Sequence, residues 1–195
     1  MALAFLLVAP VHPRNPAPPR SPLAPPSAPI RPLASPTATI SPTYSAATIG
    51  IDIGQLAHEF VLRSLDCKTT QLSDFRGRPV WIIFWASCCP PCRDEMPRLE
   101  GVPLTHEADG MVIFGVAVKD APADVRALVK QVGATYPIVV DETGKAADRS
   151  GAVALPVQYW FDCDGIVRGW AFGQLPLDQY DPALAKILPT ISAIP

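Results

Sequence analysis

The sequence contains few cysteines and few charged residues, and it has no apolar run long enough to cross a membrane. Five cysteines among 195 residues are too few for a disulfide-stapled miniprotein. The apolar start, residues 2–11 (ALAFLLVAPV), is much shorter than the ~20 residues that a membrane-spanning helix needs. The composition likewise excludes a collagen and a long coiled coil.

Charge argues against nucleic acid as the main partner. The chain carries 16 lysines and arginines against 18 acidic residues. Arg14, Arg20 and Arg31 lie in residues 1–43, which contain no acidic residue, so the remainder of the chain has a net charge of −5. An acidic body without a basic patch is not typical of a nucleic-acid-binding protein.

Proline divides the chain into two parts. Residues 1–43 hold 12 of the 24 prolines. We therefore predict an apolar start followed by a proline-rich linker over residues 1–48, and one domain over residues 49–195. A domain of this size can bury a core without the help of disulfides.

The function of the first part stays open among several interpretations. Residues 2–11 suit the apolar region of a secretory signal, but no lysine or arginine precedes them. Three interpretations of these residues stay open: a weak signal or anchor, the remnant of a signal or anchor that starts upstream, or the end of an extended segment without a function. The proline-rich stretch favours extended polyproline II segments. It is a tether to a membrane, a ligand for a proline-binding partner, or an unordered extension.

The second part predicts a mixed central β-sheet with helices on both faces. Continuous apolar runs indicate two strands that are buried on both sides, and proline in the first turn suits the helix between them. An amphipathic repeat indicates a second helix, and a short polar turn indicates a late hairpin. The expected strands are 58–62, 69–72, 80–86, 111–118, 137–140, 157–161 and 166–172. The expected helices are 91–99, 124–132 and a C-terminal one that carries Leu184, Ile187, Leu188 and Ile191. The first two strands would form an extra N-terminal hairpin.

Two cysteines stand where a buried strand ends and a helix begins. Cys89 and Cys92 are separated by Pro90 and Pro91, within the segment FWASCCPPCRDEMP at residues 84–97. The first thiol would lie at the helix N-terminus, where the free backbone N–H groups and the helix dipole favour the thiolate. The second thiol, one turn deeper, could then attack a mixed disulfide that forms on the first. This spacing predicts a redox-active pair.

A metal site is the alternative for such a pair. Zinc and iron–sulfur sites also use two cysteines at this spacing, but they need further ligands. The remaining candidates, His58, His106, Cys67 and Cys163, do not form a second pair in the sequence. Redox chemistry is therefore the favoured interpretation.

The segment at 84–97 resembles the active site of thioredoxin-fold thiol–disulfide oxidoreductases, in particular the TlpA/ResA-like branch. The lead-in GQLAHEFVLRSLDCKTTQLSDFRGRPVWIIFW and the later ALPVQYWFDCDGIVRGWAFG are also similar to that branch, so the resemblance covers roughly residues 54–188. It implies an α/β fold of the thioredoxin type. It also implies that Cys89 attacks, that Cys92 resolves, and that Leu155-Pro156 is a cis-proline facing the disulfide.

Two other residues of the segment gain expected roles. Glu95 matches a glutamate of the ResA-like branch and lies three residues after Cys92, on the same helix face. A partly buried carboxylate there would raise a thiol pKa and could take the proton of Cys92. The alternative is a surface pair with Arg98. Trp85 would pack beneath the dithiol or serve as an ordinary core residue.

The sequence departs from the family at two positions. Cys88 stands where the family usually has a tryptophan, which adds a third thiol and leaves three interpretations: a rival disulfide, a metal ligand together with Cys92, or a small buried residue, which we favour. Ile83 stands where cytosolic thioredoxins carry a buried aspartate, so proton transfer would fall to Glu95 or solvent. Cys67 and Cys163, each in a predicted turn, could also pair.

Two rival functions remain. A peroxiredoxin-like peroxidase would carry a Pro-x-x-x-Thr/Ser-x-x-Cys signature, and no proline lies seven residues before Cys88, Cys89 or Cys92. A copper chaperone could use Cys88 and Cys92, because Cu(I) prefers soft thiolates. Such proteins add a histidine near the later strands, whereas no histidine follows His106.

The resemblance implies a reductase of protein disulfides outside the cytoplasm, in the periplasm or tethered to a membrane. Apocytochrome c is the candidate substrate, and a membrane thiol–disulfide protein is the expected electron donor. We expect a monomer with no cofactor and no metal beyond the redox-active Cys89–Cys92 disulfide.

Overall fold

The computed structural model describes residues 47–102 and 110–188. The strands in these ranges are β1 (Val61–Ser64), β2 (Thr69–Gln71), β3 (Val80–Trp85), β4 (Val112–Val118), β5 (Ile138–Asp141), β6 (Val157–Phe161) and β7 (Val167–Phe172). The helices are α1 (Pro90–Leu99), α2 (Pro122–Val132), α3 (Lys145–Arg149) and α4 (Tyr180–Leu184), with 3₁₀ turns η1 (Leu72–Phe75) and η2 (Leu177–Gln179). Residues 1–46, which hold the predicted apolar start and nearly all of the predicted proline-rich linker, lie outside the described residues.

The seven strands form one mixed sheet in the order β2-β1-β5-β4-β3-β6-β7. The three central strands β5, β4 and β3 are parallel, and β6 and β7 continue the sheet as an antiparallel pair. On the other side, β1 and β2 form an antiparallel hairpin that joins β5. This arrangement confirms the predicted mixed sheet with an extra N-terminal hairpin.

The central strand β3 is buried on both faces, as its continuous apolar sequence predicts. Its alternate side chains enter two different cores. Trp81, Ile83 and Trp85 pack with α1, α2 and α4 on one face. Ile82 and Phe84 pack on the other face, in a cluster that also contains residues of α3. Helices therefore cover both faces of the sheet.

Helix α2 begins at Pro122, two residues before the expected start at residue 124, and ends at Val132 as expected. Pro122 occupies the first turn, and Gly133 follows the last residue with a left-handed φ of 74°. Val125 and Leu128 are buried against the sheet. No helix among the described residues has the length and apolar character required to span a membrane.

Three expectations about elements are wrong in detail. The first strand starts at Val61 instead of residue 58, because its ladder extends only as far as its partners β2 and β5 reach. The helix that carries Leu184 ends at that residue, so Ile187 and Leu188 lie beyond it in a turn, in which the Ile187 N–H donates to the Leu184 carbonyl. Ile191 lies outside the described residues. Helix α3 was not expected at all, because five residues are too short for a periodic signal.

Candidate active site

The dithiol lies at the end of β3, where the chain turns into α1. Cys89 is the residue just before the helix, and it has extended backbone angles. Cys89 and Cys92 form a disulfide with an S–S distance of 2.09 Å and a Cα–Cα distance of 5.3 Å. Cys92 is 1% exposed, whereas Cys89 is half-buried. The sulfur of Cys89 is therefore the one that another thiol can reach.

The helix end beside Cys89 offers fewer amide donors than the sequence argument assumed. Pro90 and Pro91 fill the first two helical positions, and proline carries no N–H. The N–H of Cys89 itself donates to the Ala86 carbonyl at 3.1 Å. Among the first three helical residues, only Cys92 keeps an N–H that can face a thiolate on Cys89. The helix dipole acts in the same direction.

A carboxylate that the sequence analysis did not identify holds the loop before the dithiol. Asp120 follows β4, and its two oxygens accept hydrogen bonds from the Ser87 N–H at 2.5 Å and from the Ser87 hydroxyl at 2.7 Å. The contact arises because β3 and β4 are parallel neighbours, so the loops at their carboxyl ends meet. Asp120 thereby ties the loop that carries Cys88 and Cys89 to the start of α2.

The Leu155–Pro156 peptide bond is cis, as the resemblance implies. Val157, the next residue, pairs with Phe84 in β3, which places Pro156 at the same end of the sheet as the dithiol. The carbonyl of Pro156 accepts a hydrogen bond from the Gly173 N–H at 2.7 Å. Leu155 and Cys89 are both half-buried and pack against the cluster that contains Cys92.

Glu95 is buried, at 1% exposure, so the alternative of a surface pair with Arg98 is wrong. One of its oxygens, Oε1, accepts hydrogen bonds from the Leu175 N–H at 2.9 Å and from Nε2 of Gln158 at 2.8 Å. Its other oxygen, Oε2, is buried and has no hydrogen-bond partner. The carboxyl thus lies one helical turn from Cys92 with one oxygen held and one unpartnered.

Burial raises the pKa of the Glu95 carboxyl above its usual range, because the charged form loses its hydration. The hydrogen bonds from Leu175 and Gln158 and the charge of Arg98 lower the same pKa, but they offset burial only in part. A carboxyl in this state can exchange a proton closer to neutral pH than an exposed glutamate does.

Gln158 is the second residue that the sequence analysis did not identify. It is fully buried as the second residue of β6, opposite Ile83. Its Oε1 accepts a hydrogen bond from Nε1 of Trp81 at 2.9 Å. A lone amide in the otherwise apolar strand VQYWF was the available signal, because a buried polar group needs a partner.

Trp85 is buried in the same core cluster as Cys92. Gly115 of the neighbouring strand β4 leaves room for its indole. A Cβ at that glycine would lie 3.0 Å from Nε1 of Trp85 and 3.2 Å from side-chain atoms of Tyr136 and Ile138. The absence of a side chain at Gly115 is therefore what lets the tryptophan lie across β4.

Cys88 is exposed, so the favoured interpretation of a small buried residue is wrong. The buried stretch ends at Ala86, and the next residues form the turn that Asp120 holds. Cys67 and Cys163 are free thiols in this structure and do not pair with one another. Within residues 47–102 and 110–188, no cluster of three His, Cys, Asp or Glu side chains could hold a metal ion.

Comparison with known proteins gives a consistent result. Residues 53–169 match the AhpC/TSA family. The thiol-disulfide oxidoreductase ResA of Bacillus thuringiensis subsp. konkukian (strain 97-27) is 30% identical over 139 residues, which cover 71% of this chain and 80% of that protein. The thioredoxin-like protein YneN of Bacillus subtilis (strain 168) is 31% identical over 145 residues, which cover 73% of this chain and 84% of that protein.

Solved structures show the same likeness. A thiol:disulfide interchange protein of the thioredoxin family from Chlorobium tepidum TLS superposes with a TM-score of 0.61 at 25% identity. The match covers 69% of this chain and 96% of that one. The predicted thioredoxin-like fold is therefore confirmed.

Proposed function

This chain belongs to the AhpC/TSA family and is a thiol–disulfide oxidoreductase of the ResA type, and we propose that it reduces protein disulfides outside the cytoplasm. The observation that carries the exchange reaction is the asymmetry of the dithiol, whereas the direction of electron flow and the location are implied by the resemblance. Cys89 is accessible, whereas Cys92 is 1% exposed and lies one turn from a buried carboxyl. Such a pair suits sequential attack and resolution better than it suits metal binding.

In the proposed reaction, the thiolate of Cys89 attacks a substrate disulfide, forms a mixed disulfide and releases one substrate thiolate. Cys92 then gives its proton to Glu95 and attacks the sulfur of Cys89. The mixed disulfide breaks, the Cys89–Cys92 disulfide forms, and the second substrate thiolate leaves. Two electrons pass from the dithiol to the substrate, and a membrane thiol donor restores the dithiol. No cofactor takes part.

The direction of electron flow is tested by a redox titration in defined thiol–disulfide buffers, with free thiols trapped by an alkylating mass tag and mapped by peptide. We expect a two-electron transition at Cys89 and Cys92 near or below the ~−270 mV of thioredoxin. A value close to the ~−120 mV of a strong oxidant would reverse the direction. Absence of a transition at these two cysteines would reject the mechanism.

The division of roles within the pair is tested by trapping. A Cys92→Ser variant should accumulate a mixed disulfide between Cys89 and an oxidised protein, because the resolving thiol is gone. In a Cys67→Ser, Cys88→Ser, Cys163→Ser background, the matched Cys89→Ser variant should trap nothing, since Cys92 is buried and no other thiol remains. Trapping by the second variant instead of the first would invert the assignment.

The resemblance suggests the haem-binding cysteines of apocytochrome c as the substrate. A peptide with an oxidised Cys-x-x-Cys-His motif should be reduced faster by the reduced protein than a peptide of the same composition in which the cysteines are further apart. Equal rates would remove the support for this substrate class and leave a general disulfide reductase.

Placement outside the cytoplasm rests on the resemblance and on the proline-rich first part of the sequence. The exposed thiols of Cys67 and Cys88 make it testable. A membrane-impermeant maleimide added to intact cells that produce the full chain should label both thiols. Labelling only after lysis would place the protein in the cytoplasm, and a Cys67→Ser, Cys88→Ser variant is the control for specificity.

A further inference from the structure

A chain of buried hydrogen bonds joins the sheet to the carboxyl beside the dithiol. The indole N–H of Trp81 donates to Oε1 of Gln158 at 2.9 Å, and Nε2 of Gln158 donates to Oε1 of Glu95 at 2.8 Å. The three residues lie on β3, β6 and α1, and each side chain is at most 1% exposed. Gln158 is also two residues beyond Pro156, so the chain links both sides of the active site.

The chemistry of the donors fixes the orientation of the Gln158 amide. An indole N–H can only donate, so the atom that faces Trp81 must be the amide oxygen. The amide nitrogen then faces Glu95, where it can only donate. A flipped amide would place two donors against each other at Trp81 and two acceptors against each other at Glu95.

The same logic assigns different tasks to the two oxygens of Glu95. Oε1 accepts from Gln158 and from the Leu175 N–H, which leaves little room for a proton on that atom. Oε2 is buried and has no hydrogen-bond partner. When the carboxyl is protonated, the proton therefore resides on Oε2.

We propose that Gln158, locked by Trp81, is a positioning residue for the dithiol reaction: it holds Oε1 of Glu95 and thereby leaves Oε2 as the atom that takes and returns the proton of Cys92. This inference rests on the proposed role of Glu95 as the proton acceptor. Gln158 does not touch the reacting sulfurs in this scheme and acts only through Glu95.

The titratable groups around Glu95 come from several elements. Arg98 and Cys92 lie on its own helix, Tyr180 lies on α4, and Tyr136 precedes β5. Burial raises the pKa of Tyr180 to about 12, and the charge of Glu95 contributes to the rise. Burial also raises the pKa of Tyr136, so neither tyrosine ionises at neutral pH. Gln158 donates directly to the carboxyl, and it can be changed without altering any charge.

The test measures the proton affinity of Glu95 directly. The oxidised protein, labelled with ¹³C at the glutamate carboxyl, is titrated by NMR, and the Glu95 signal is assigned by its loss in Glu95→Gln. In Gln158→Met the carboxylate loses one donor, so the midpoint of Glu95 should rise by about one to two pH units. The pH profile of disulfide exchange should move in the same direction.

Because Gln158→Met leaves the Trp81 N–H unpaired, a Trp81→Phe, Gln158→Leu double variant provides a second route. It removes both partners of that hydrogen bond and should show the same rise. Tyr159→Phe is the matched control: it removes the hydrogen bond from the Tyr159 hydroxyl to the Ser150 carbonyl, on the other face of the same strand. It should leave Glu95 unchanged.

The outcomes separate this inference from the proposed function. An unshifted midpoint in both Gln158 variants, or an equal shift in Tyr159→Phe, overturns the role of Gln158 while Glu95→Gln still slows exchange. If Glu95→Gln exchanges disulfides with the wild-type rate and pH profile, the role of Glu95 fails, and the positioning role fails with it.

Discussion

Among the residues that the structure describes, two carboxylates are buried, and their surroundings are opposite. Glu95 and Asp141 are each 1% exposed and lie on opposite faces of the sheet. Both oxygens of Asp141 are used: Oδ2 accepts from the Ala147 N–H at 2.9 Å, and Oδ1 accepts from the Thr143 hydroxyl at 3.3 Å. Glu95 has two donors on one oxygen and none on the other.

The difference separates a structural carboxylate from the one that we propose takes part in the reaction. Asp141 satisfies an N–H at the start of α3, where a negative charge is favourable, so it holds the chain in place. Glu95 keeps an unpartnered oxygen beside the dithiol, where a group that gains or loses a proton is useful. Burial alone does not distinguish the two residues, but the distribution of the hydrogen bonds over the two carboxylate oxygens does.

The largest effect should follow from Glu95→Gln. The amide keeps the size of the side chain but cannot take the proton of Cys92, so we expect the exchange rate at neutral pH to fall by about 100-fold, at the low end for a lost acid–base group. The measurement is stopped-flow reduction of a peptide disulfide. Glu142→Gln, the same change at an exposed position, should match the wild type. A similar loss in both variants would contradict the comparison.

Asp141→Leu should act on stability instead of the reaction. It leaves the buried Ala147 N–H without a partner, and we expect the free energy of unfolding to fall by about 2 kcal/mol in a urea titration. The exchange rate per folded molecule should not change. Asp141→Asn retains an acceptor and should recover most of the loss. A changed rate profile in folded Asp141→Leu would mean that this carboxylate also serves the reaction.

The Asp120→Ala variant tests which property lets a carboxylate set the pH profile of exchange. The two candidates are nearness to the dithiol and an oxygen without a hydrogen-bond partner. Asp120 is close to the dithiol in the fold, but Ser87 engages both of its oxygens. We expect the free energy of unfolding to fall by about 1 kcal/mol, and the pH profile of exchange to keep its midpoint. A midpoint that moves as far as in the Gln158 variants would show that nearness alone suffices.

The smallest effect is expected in the pH dependence of the free energy of unfolding. Burial raises the pKa of Glu95, but the hydrogen bonds to Oε1 lower it and offset part of that rise. The folded pKa of Glu95 is raised above 4.5, so the folded state binds more protons than the unfolded chain as pH rises from 4.5 to that pKa. The contribution of Glu95 to the free energy of unfolding is therefore complete below pH 4.5 and is lost as the pH rises from 4.5 to the folded pKa. Urea titrations should show this fall in the wild type and not in Glu95→Gln. An identical pH dependence in both would contradict the raised pKa.

Sequence reasoning located most of the elements and both redox cysteines, because these features are written in short stretches of the chain. The apolar run of β3, the prolines that open α1 and the Cys-x-x-Cys spacing each signal their structure locally. The thioredoxin-like fold followed from the resemblance across residues 54–188. Helix α3 was not predicted, because it is one short turn that depends on a capping carboxylate, Asp141, which lies on β5.

The site was predicted less completely than the fold. Cys88 was expected to be buried, yet the strand ends before it and the turn projects it to solvent. Glu95 was known as a candidate, but its burial could not be separated from a surface pair with Arg98. Gln158 and Asp120 are distant in sequence from the residues that they hold, by 63 and 33 positions. Spacing along the chain carries no information about such pairs.

What the sequence determined by itself is the Cys89–Cys92 pair, because two cysteines three residues apart at a strand–helix junction are placed by local geometry. The type of fold followed from the resemblance along the chain. What only the tertiary structure decided is the environment of that pair. Which oxygen of Glu95 is held, which thiol is reachable and which carboxylate is merely structural all depend on β6, α1 and the loop after β7 meeting at one end of the sheet. Proton affinity and access are properties of that packing, since burial and hydrogen bonding are shared among residues far apart in the chain.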